Sequence, residues 1–325
     1  MSGFNSQSAH SNKIEDSNEQ RKEENKQQNI SENKTAFKFN YDKYYKLLFF
    51  IPFLILLISL IYIGSFYSKT GDIIYRDVSL SGGTSITING EIEQSLIEVP
   101  LKEKVPDVSF TKLTDVITGK QIALEIKSSL SSEQLKTEIE NVLGYNLTDD
   151  NSSTGFTGAS LSQNFYKNLM IALIISFVLV SIVIFIMFRT FIPSFAVIFA
   201  IFADIAMPLA LVNFLGIKLS AAGIAAFLML IGYSVDTDIL LTSRALRSRE
   251  DSLNTRIFKA FKTGSLMTLT ALAAVLPAFF IVTGLPDSFR QIFLILAIGL
   301  FADLINTWLT NASLIKWYCE KKNIK

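Results

Sequence analysis

Hydrophobic residues are concentrated in six long runs, and the stretches between them are polar. The first run covers residues 46–66, and the other five lie within 167–313. Their bounds are about 167–188, 191–215, 220–243, 265–284 and 290–313. A helix needs about 20 mainly apolar residues to cross a bilayer, and each run reaches that length. The pattern therefore predicts six transmembrane helices.

Residues 67–163, between the first two runs, are rich in polar side chains and predict a separate water-soluble domain. Gly82 and Gly83 predict a turn that enters an alternating strand. Residues 91–105 are ambiguous, with a helix favoured before Pro100.

Two more strands are predicted at 108–113 and 121–126, followed by a helix that Ser131 or Ser132 caps and Gly144 ends. Residues 146–162 are predicted to hold a last short strand. The order strand, helix, strand, strand, helix, strand is typical of a ferredoxin-like α+β domain. The predicted fold class is thus a six-helix membrane bundle with a ferredoxin-like domain between helices 1 and 2.

The two ends of the chain are polar. Residues 1–36 contain few large apolar side chains, which predicts a disordered tail, and residues 314–325 form a short basic tail. Basic residues are also frequent at 34–46 and 244–262, and cytoplasmic links of membrane proteins are enriched in Lys and Arg. Both termini are therefore predicted to be cytoplasmic, in the plasma membrane, with residues 67–163 outside.

The composition fits an integral membrane protein with a soluble part, because 50% of the 325 residues are hydrophobic and 18% are charged. The single cysteine, Cys319, excludes an intrachain disulfide and a cysteine metal cluster. The single histidine, His10, lies in the N-terminal tail, so a zinc site or a Ser-His or Cys-His pair has no histidine to use. We expect no enzyme, no metal or cofactor, and no nucleic-acid partner.

Charged residues nevertheless occur inside the apolar runs. Asp204 and Asp303 each lie about thirteen residues into their runs, roughly 20 Å along a helix. Asp236, Asp238 and Arg244 lie near the end of the fourth run. A charged side chain at the bilayer centre costs about 2.5–3.5 kcal/mol on insertion scales, and such residues usually face a bundle interior or a water path. The five residues therefore predict an ion relay along a polar axis.

The fourth run has two further features. Asp236 and Asp238 are two residues apart, about 200° around a helix, so they are predicted to face opposite sides. Either this helix is central in the bundle, or one of its faces meets a partner protein. Gly232 and Gly223 are small enough to allow close helix packing. Carboxylates can take up and release protons, which favours ion-coupled transport or conformational coupling.

These residues also resemble a known family. Residues 231–236, Ile-Gly-Tyr-Ser-Val-Asp, with Asp238 and the Thr-Ser-Arg ending at Arg244, resemble the fourth-span signature of SecF. The layout of one span, an outside domain opening with a Gly-Gly strand, and five further spans is that of the SecD/SecF protein-export family. Together with the segment that starts at Asp303, this variant of the signature is similar to archaeal SecF. The resemblance covers about residues 45–318.

Two stretches depart from the family pattern. Asp236 stands where bacterial members usually carry Asn. Residues 158–163, Gly-Ala-Ser-Leu-Ser-Gln, differ from the usual Gly-Pro-x-x-Gly. The first departure bears on the role of Asp236 as an ion carrier, and the second bears on the last strand of the outside domain.

The resemblance implies an accessory subunit of the Sec protein translocase, within the resistance-nodulation-division superfamily. It implies pairing with a SecD-like six-span subunit and work beside the Sec translocon channel. An ion gradient, with the proton favoured, would assist export of unfolded secretory polypeptide across the lipid bilayer. The family's third-span carboxylate corresponds to Asp204 and its fourth-span arginine corresponds to Arg244.

Three alternatives remain open at this point. A lipid or small-solute exporter of the same superfamily would share the polar axis, but such exporters usually carry both halves in one chain. An intramembrane aspartyl protease would typically need a Gly-x-Gly-Asp run, which the sequence does not contain. A membrane scaffold without transport is the third. Co-purification with translocon subunits or with lipid distinguishes export from the first alternative.

Overall fold

The computed structural model describes residues 44–115, 117–247, 252–282 and 286–324. The chain divides into two units, residues 1–48 and 49–325. Of the first unit only residues 44–48 are described, at the start of helix α1 (Tyr44–Thr70). The predicted disordered tail, residues 1–36, lies outside the described residues.

After α1 the chain forms four strands and three helices. They are α2 (Val78–Ser81), β1 (Gly83–Asn89), α3 (Gln94–Lys104), β2 (Ser109–Thr114), β3 (Gln121–Ser128), α4 (Ser132–Leu143) and β4 (Ser152–Thr157). From β1 onward these elements follow the predicted order strand, helix, strand, strand, helix, strand. The strands form one sheet in the order β2-β3-β1-β4, and every neighbouring pair is antiparallel.

The sheet has an apolar face that packs against α3 and α4. In the register Ile86 of β1 lies opposite Ile126 of β3, and both side chains are fully buried. Leu101 of α3 and Leu135 of α4 join the same core and are fully buried as well. Burial of one such side chain contributes about 1.5–3 kcal/mol, so the alternating apolar positions hold this layer together.

The ends of the two longer helices of the sheet region have local causes. Ser131 caps α4 by accepting from the Gln134 amide, and Gly144 ends it in the left-handed region, as predicted. The helix favoured before Pro100 is present, and α3 continues through this proline to Lys104. Proline lacks the N–H that would bond the carbonyl of Leu96. Leu96 is exposed, so water can satisfy that carbonyl.

Gly82 and Gly83 form the predicted turn where the chain enters β1. Their φ angles are 86° and 142°, in the region that favours glycine. A Cβ on Gly83 would lie 2.2 Å from the carbonyl oxygen of Ser128, and one on Gly82 would lie 2.4 Å from Cα of Ala159. The two glycines therefore let β1 lie against the end of β3 and the start of the next long helix.

Five further spans follow. They are α5 (Ala159–Phe188), α6 (Phe191–Phe214), α7 (Ala221–Arg247), α8 (Leu253–Ile281) and a last span, Asp287–Lys321, which consists of α9 (Asp287–Ile305), a π-helical segment (Asn306–Asn311) and α10 (Ala312–Lys321). With α1, the described residues hold six helices long and apolar enough to cross a membrane. Most buried bundle residues come from α6, α7 and the last span, whereas α1 and α5 expose many apolar side chains. Exposed apolar faces are expected of helices that contact lipid.

Several helices extend beyond their apolar runs, and two of them bury side chains in the added turns. Helix α8 begins at Leu253 because its first turns bury Ile257 and Ala260, while Lys259 stays exposed. The last span reaches Lys321 and buries Ile315 and Cys319 in its final turns.

Close helix packing occurs at three glycines of the bundle. A Cβ on Gly223 would lie 3.0 Å from Ile295 of α9, one on Gly264 2.5 Å from Trp308, and one on Gly299 2.2 Å from Leu230. Gly232 is exposed, and nothing in the described part of the chain lies within 4 Å of its would-be Cβ. Gly223 thus packs inside this chain, whereas the packing predicted for Gly232 does not occur within it.

Polar contacts join the sheet region to one end of the bundle. Lys218, in the loop between α6 and α7, donates from Nζ to the carbonyl of Asp107 at 3.0 Å. Thr111 of β2 donates to the carboxylate of Asp287, the first residue of α9. The Asp107 carboxylate is held in turn by the last residue of β3 and the residue after it. Burial raises its pKa, but bonds from the Ser129 amide and the Ser128 hydroxyl outweigh burial and leave the pKa below its ordinary value.

Candidate functional site

Three carboxyl groups from three different spans lie buried in the bundle. Asp204 on α6, Asp238 on α7 and Asp303 on α9 are each at most 1% exposed. Among the described residues, no basic side chain forms an ion pair with any of them. Burial of unpaired carboxylates is costly in a medium of low dielectric constant, so this cluster is the most unusual feature of the bundle.

Asp204 binds two polar side chains from neighbouring spans. The Ser234 hydroxyl on α7 donates to its Oδ2 at 2.5 Å. The Asn306 amide donates to its Oδ1 at 2.6 Å. Because both carboxyl oxygens have a partner, Asp204 ties α6 to α7 and to the π-helical segment.

Asp303 and Asp238 share one hydroxyl. Thr307 lies 3.2 Å from Asp303 Oδ1 and 3.0 Å from Asp238 Oδ1. Asp303 also contacts Thr237 at 3.0 Å and, at the 3.5 Å limit of a hydrogen bond, Thr268 of α8. The two carboxyl groups are therefore linked through a single side chain.

Asp238 has a second partner and one oxygen without any. The Asn311 amide donates to its Oδ1 at 2.7 Å. Its Oδ2 is buried and has no hydrogen-bond partner among the described residues.

The π-helical segment supplies the side chains that connect the three carboxyl groups. Asn306, Thr307 and Asn311 all come from it and are fully buried. A π-helical turn is wider than an α-helical one and is frequent at functional sites. Sequence reasoning did not select these residues as site residues. The available signal was a set of polar side chains, Asn306, Thr307, Thr310 and Asn311, in an otherwise apolar run.

The structure does not bring all five predicted relay residues together. Asp204, Asp238 and Asp303 meet, but Asp236 lies exposed on the other side of α7, which confirms that Asp236 and Asp238 face opposite ways. Arg244 binds the start of α8 instead, donating to the carbonyl of Lys259 and the hydroxyl of Thr263, both at 2.9 Å.

Carboxyl groups are able to bind and release protons. Neighbouring carboxylates repel each other strongly in a low-dielectric interior, so at least one of the three is expected to be protonated. Hydroxyl and amide groups between them provide short hydrogen-bonded paths. The described residues contain no group of three or more His, Cys, Asp or Glu side chains placed to bind a metal ion.

Six membrane-length helices with carboxyl groups buried inside the bundle define the class: a multi-pass membrane protein with an internal polar cluster. A family model described as "Protein export membrane protein SecD/SecF, C-terminal" matches residues 137–321. "Protein-export membrane protein SecF" of Methanocaldococcus jannaschii is 35% identical over 287 residues, which are 87% of this chain and 99% of that protein. The SecF of Methanolacinia petrolearia is 33% identical over 293 residues, 87% of this chain and 98% of that protein. The chain belongs to the SecD/SecF protein-export family and is similar to SecF proteins of archaea.

A solved structure has the same fold. The crystal structure of SecDF, a translocon-associated membrane protein from Thermus thermophilus, matches with a TM-score of 0.65 at 18% identity. The match covers 86% of this chain but only 38% of the SecDF chain. At this identity the match bears on the fold alone.

Proposed function

We propose that this chain is the SecF-type subunit of a Sec protein translocase, which pairs with a SecD-like six-span subunit and uses a proton gradient to drive export of unfolded polypeptides. The observation that carries the proposal is the cluster of Asp204, Asp238 and Asp303. Burial of three carboxyl groups without a basic partner among the described residues is energetically unfavourable. Proton binding and release during each transport cycle would explain why the bundle contains these carboxyl groups.

Pairing with a second subunit is supported by the exposed face of α7. Asp236 and Gly232 are four residues apart, so they lie on the same face one helical turn from each other. An exposed carboxylate inside a membrane span is unfavourable against lipid. A small residue beside it suits close approach of another helix. We therefore place the SecD-like subunit against this face.

The sheet region is proposed to be a ferredoxin-like domain outside the membrane. The sheet order β2-β3-β1-β4, with two helices on one face, fits a split β-α-β arrangement. The exposed Lys259 and Lys262 near the start of α8 fit a cytoplasmic location for the opposite end of the bundle. In this orientation both termini are cytoplasmic, and the outside domain is positioned to meet polypeptide that emerges from the translocon channel.

The proposed function is tested by export in membrane vesicles of the source organism, with and without a protonophore. We expect collapse of the gradient to slow export to the rate of vesicles depleted of this chain. Cysteine cross-linking from Asp236→Cys should capture a six-span membrane protein. Export that is unaffected by depletion, together with bound lipid in the purified protein, would instead identify the lipid-exporter alternative.

A further inference from the structure

Thr307 lies between two carboxyl groups, and its single hydroxyl hydrogen can be donated to only one of them. Its Oγ1 lies 3.0 Å from Asp238 Oδ1 and 3.2 Å from Asp303 Oδ1. A threonine hydroxyl carries one hydrogen, and an ionised carboxylate can only accept. Both contacts are hydrogen bonds only if one of the two carboxyl groups is protonated and donates to Thr307.

The neighbouring contacts indicate which carboxyl group holds that proton. Thr237 lies 2.9 Å from the carbonyl of Ser234 as well as 3.0 Å from Asp303. A backbone carbonyl can only accept, so Thr237 can donate to Ser234 and need not donate to Asp303, whose single carboxyl hydrogen stays available for Thr307. The Thr268 hydroxyl can likewise donate to a backbone carbonyl, because it lies 3.2 Å from the carbonyl of Gly264. The hydroxyl partners of Asp303 are thus compatible with a protonated carboxyl group.

Asp238 has the opposite surroundings. Its Oδ1 receives the amide of Asn311 at 2.7 Å, and an amide N–H can only donate. The same oxygen therefore already accepts one hydrogen and can accept a second from Thr307. These contacts fit a resting arrangement in which Asp303 is protonated, Asp238 is ionised, and the Thr307 hydrogen points to Asp238.

We propose that Thr307 transfers the coupling proton from Asp303 to Asp238. Asp303 gives its proton to Thr307 Oγ1 while the original Thr307 hydrogen passes to Asp238 Oδ1. One O–H bond breaks and one forms at Thr307, which ends as a neutral hydroxyl, with Asp303 ionised and Asp238 protonated. Asp238 then holds the proton on Oδ1, and its Oδ2 has no partner among the described residues.

This inference rests on the proposed function of the carboxyl cluster, and it also depends on the other groups around Asp303. The titratable side chains that face it are Asp204 from α6, with Asp238 and Tyr233 from α7, while α8 contributes the neutral Thr268. All the titratable members are acidic. A proton that leaves Asp303 is therefore drawn toward another carboxylate and meets no cation in the described part of the cluster.

The π-helical segment provides a matched set of variants. Thr307→Val removes the hydroxyl and keeps the shape, whereas Thr307→Ser keeps the hydroxyl. Thr310→Val makes the same chemical change three residues away, at a buried hydroxyl that has no hydrogen-bond partner among the described residues. Thermal unfolding of each purified variant shows whether the fold is kept.

Gradient-driven export is then measured in vesicles for each variant, in H2O and in D2O. We expect Thr307→Val to lower the gradient-driven rate on the order of 100-fold, while Thr307→Ser and Thr310→Val stay within about twofold of wild type. The serine variant should keep the solvent isotope effect of wild type. Equal rates for Thr307→Val and wild type, or equal losses for Thr307→Val and Thr310→Val, would overturn the relay.

Failure of the relay can be told from failure of the proposed function. Asp303→Asn removes the proposed proton carrier and leaves the Thr307 hydroxyl present. Gradient-dependent export that is lost in Asp303→Asn but normal in Thr307→Val would refute the relay and leave the proposed function standing. Wild-type export that ignores the gradient would refute both.

Discussion

Asp204→Asn and Asp204→Leu separate a proton-binding role of this carboxyl group from a structural one. Asparagine has nearly the same shape and keeps one acceptor oxygen for the Asn306 amide. Its own NH2 group can donate to the Ser234 hydroxyl, which then turns to accept. Both neighbours keep a partner, but the side chain no longer binds a proton.

The expected changes in stability follow from these two contacts. Asp204→Asn should change the free energy of unfolding by about 1 kcal/mol or less, since the hydrogen bonds are replaced. Asp204→Leu leaves the Ser234 hydroxyl and the Asn306 amide buried without a partner. Each unsatisfied group costs about 1–3 kcal/mol, so the leucine variant should lose about 2–6 kcal/mol.

The assay is gradient-driven export in vesicles at matched expression, with thermal unfolding in detergent measured in parallel. We expect Asp204→Asn to fold and assemble like wild type and to lose all stimulation by the gradient. Asp204→Leu should lose both stability and export. If Asp204→Asn exported at the wild-type rate while Asp204→Leu failed, Asp204 would only be a hydrogen-bonding residue and the reasoning would be refuted.

Three further predictions concern the sheet region and its orientation. In a background without the native cysteine, Ser95→Cys should react with an impermeant reagent in intact cells and Ser252→Cys should not; the reverse labelling would invert the topology. Gly83→Ala should cost about 2–4 kcal/mol through backbone strain and a Cβ contact of 2.2 Å, measured by thermal unfolding; an unchanged midpoint would contradict this account of the turn. Because the pKa of Asp107 is lowered, its contribution to stability is present above the ordinary value of about 3.9 and is lost as the pH falls through the lowered value. Asp107→Asn should therefore weaken the acid dependence of unfolding, and an identical pH profile would argue against it.

Residue pattern alone predicted the features of the fold that depend on local periodicity. The alternation around Ile86 predicted a strand with one buried face, and Ser131 and Gly144 predicted both ends of a helix. The spacing of Asp236 and Asp238 predicted opposite faces of one helix, which is what the structure has.

The composition of the buried cluster could not be predicted in the same way. Asp204 and Asp303 are separated by about a hundred residues of sequence, and their meeting depends on how α6, α7 and α9 pack. The π-helical segment depends on tertiary contacts, so the polar side chains of Thr307 and Asn311 in an apolar run did not by themselves show that they join the carboxyl groups. Arg244 was predicted from the resemblance to act in the relay, but its planar group fits the carbonyl and hydroxyl at the start of α8.

Proton coupling is tested by measuring proton movement in proteoliposomes that contain this chain, the proposed six-span partner and a translocation channel. An acid pulse is applied on the side of the sheet region while an internal dye reports pH and export of a secretory polypeptide is followed. If the carboxyl cluster couples proton flow to export, proton entry rises during export and is lost in Asp204→Asn and Asp303→Asn. Proton entry and export that are the same in wild type and in both variants would contradict it.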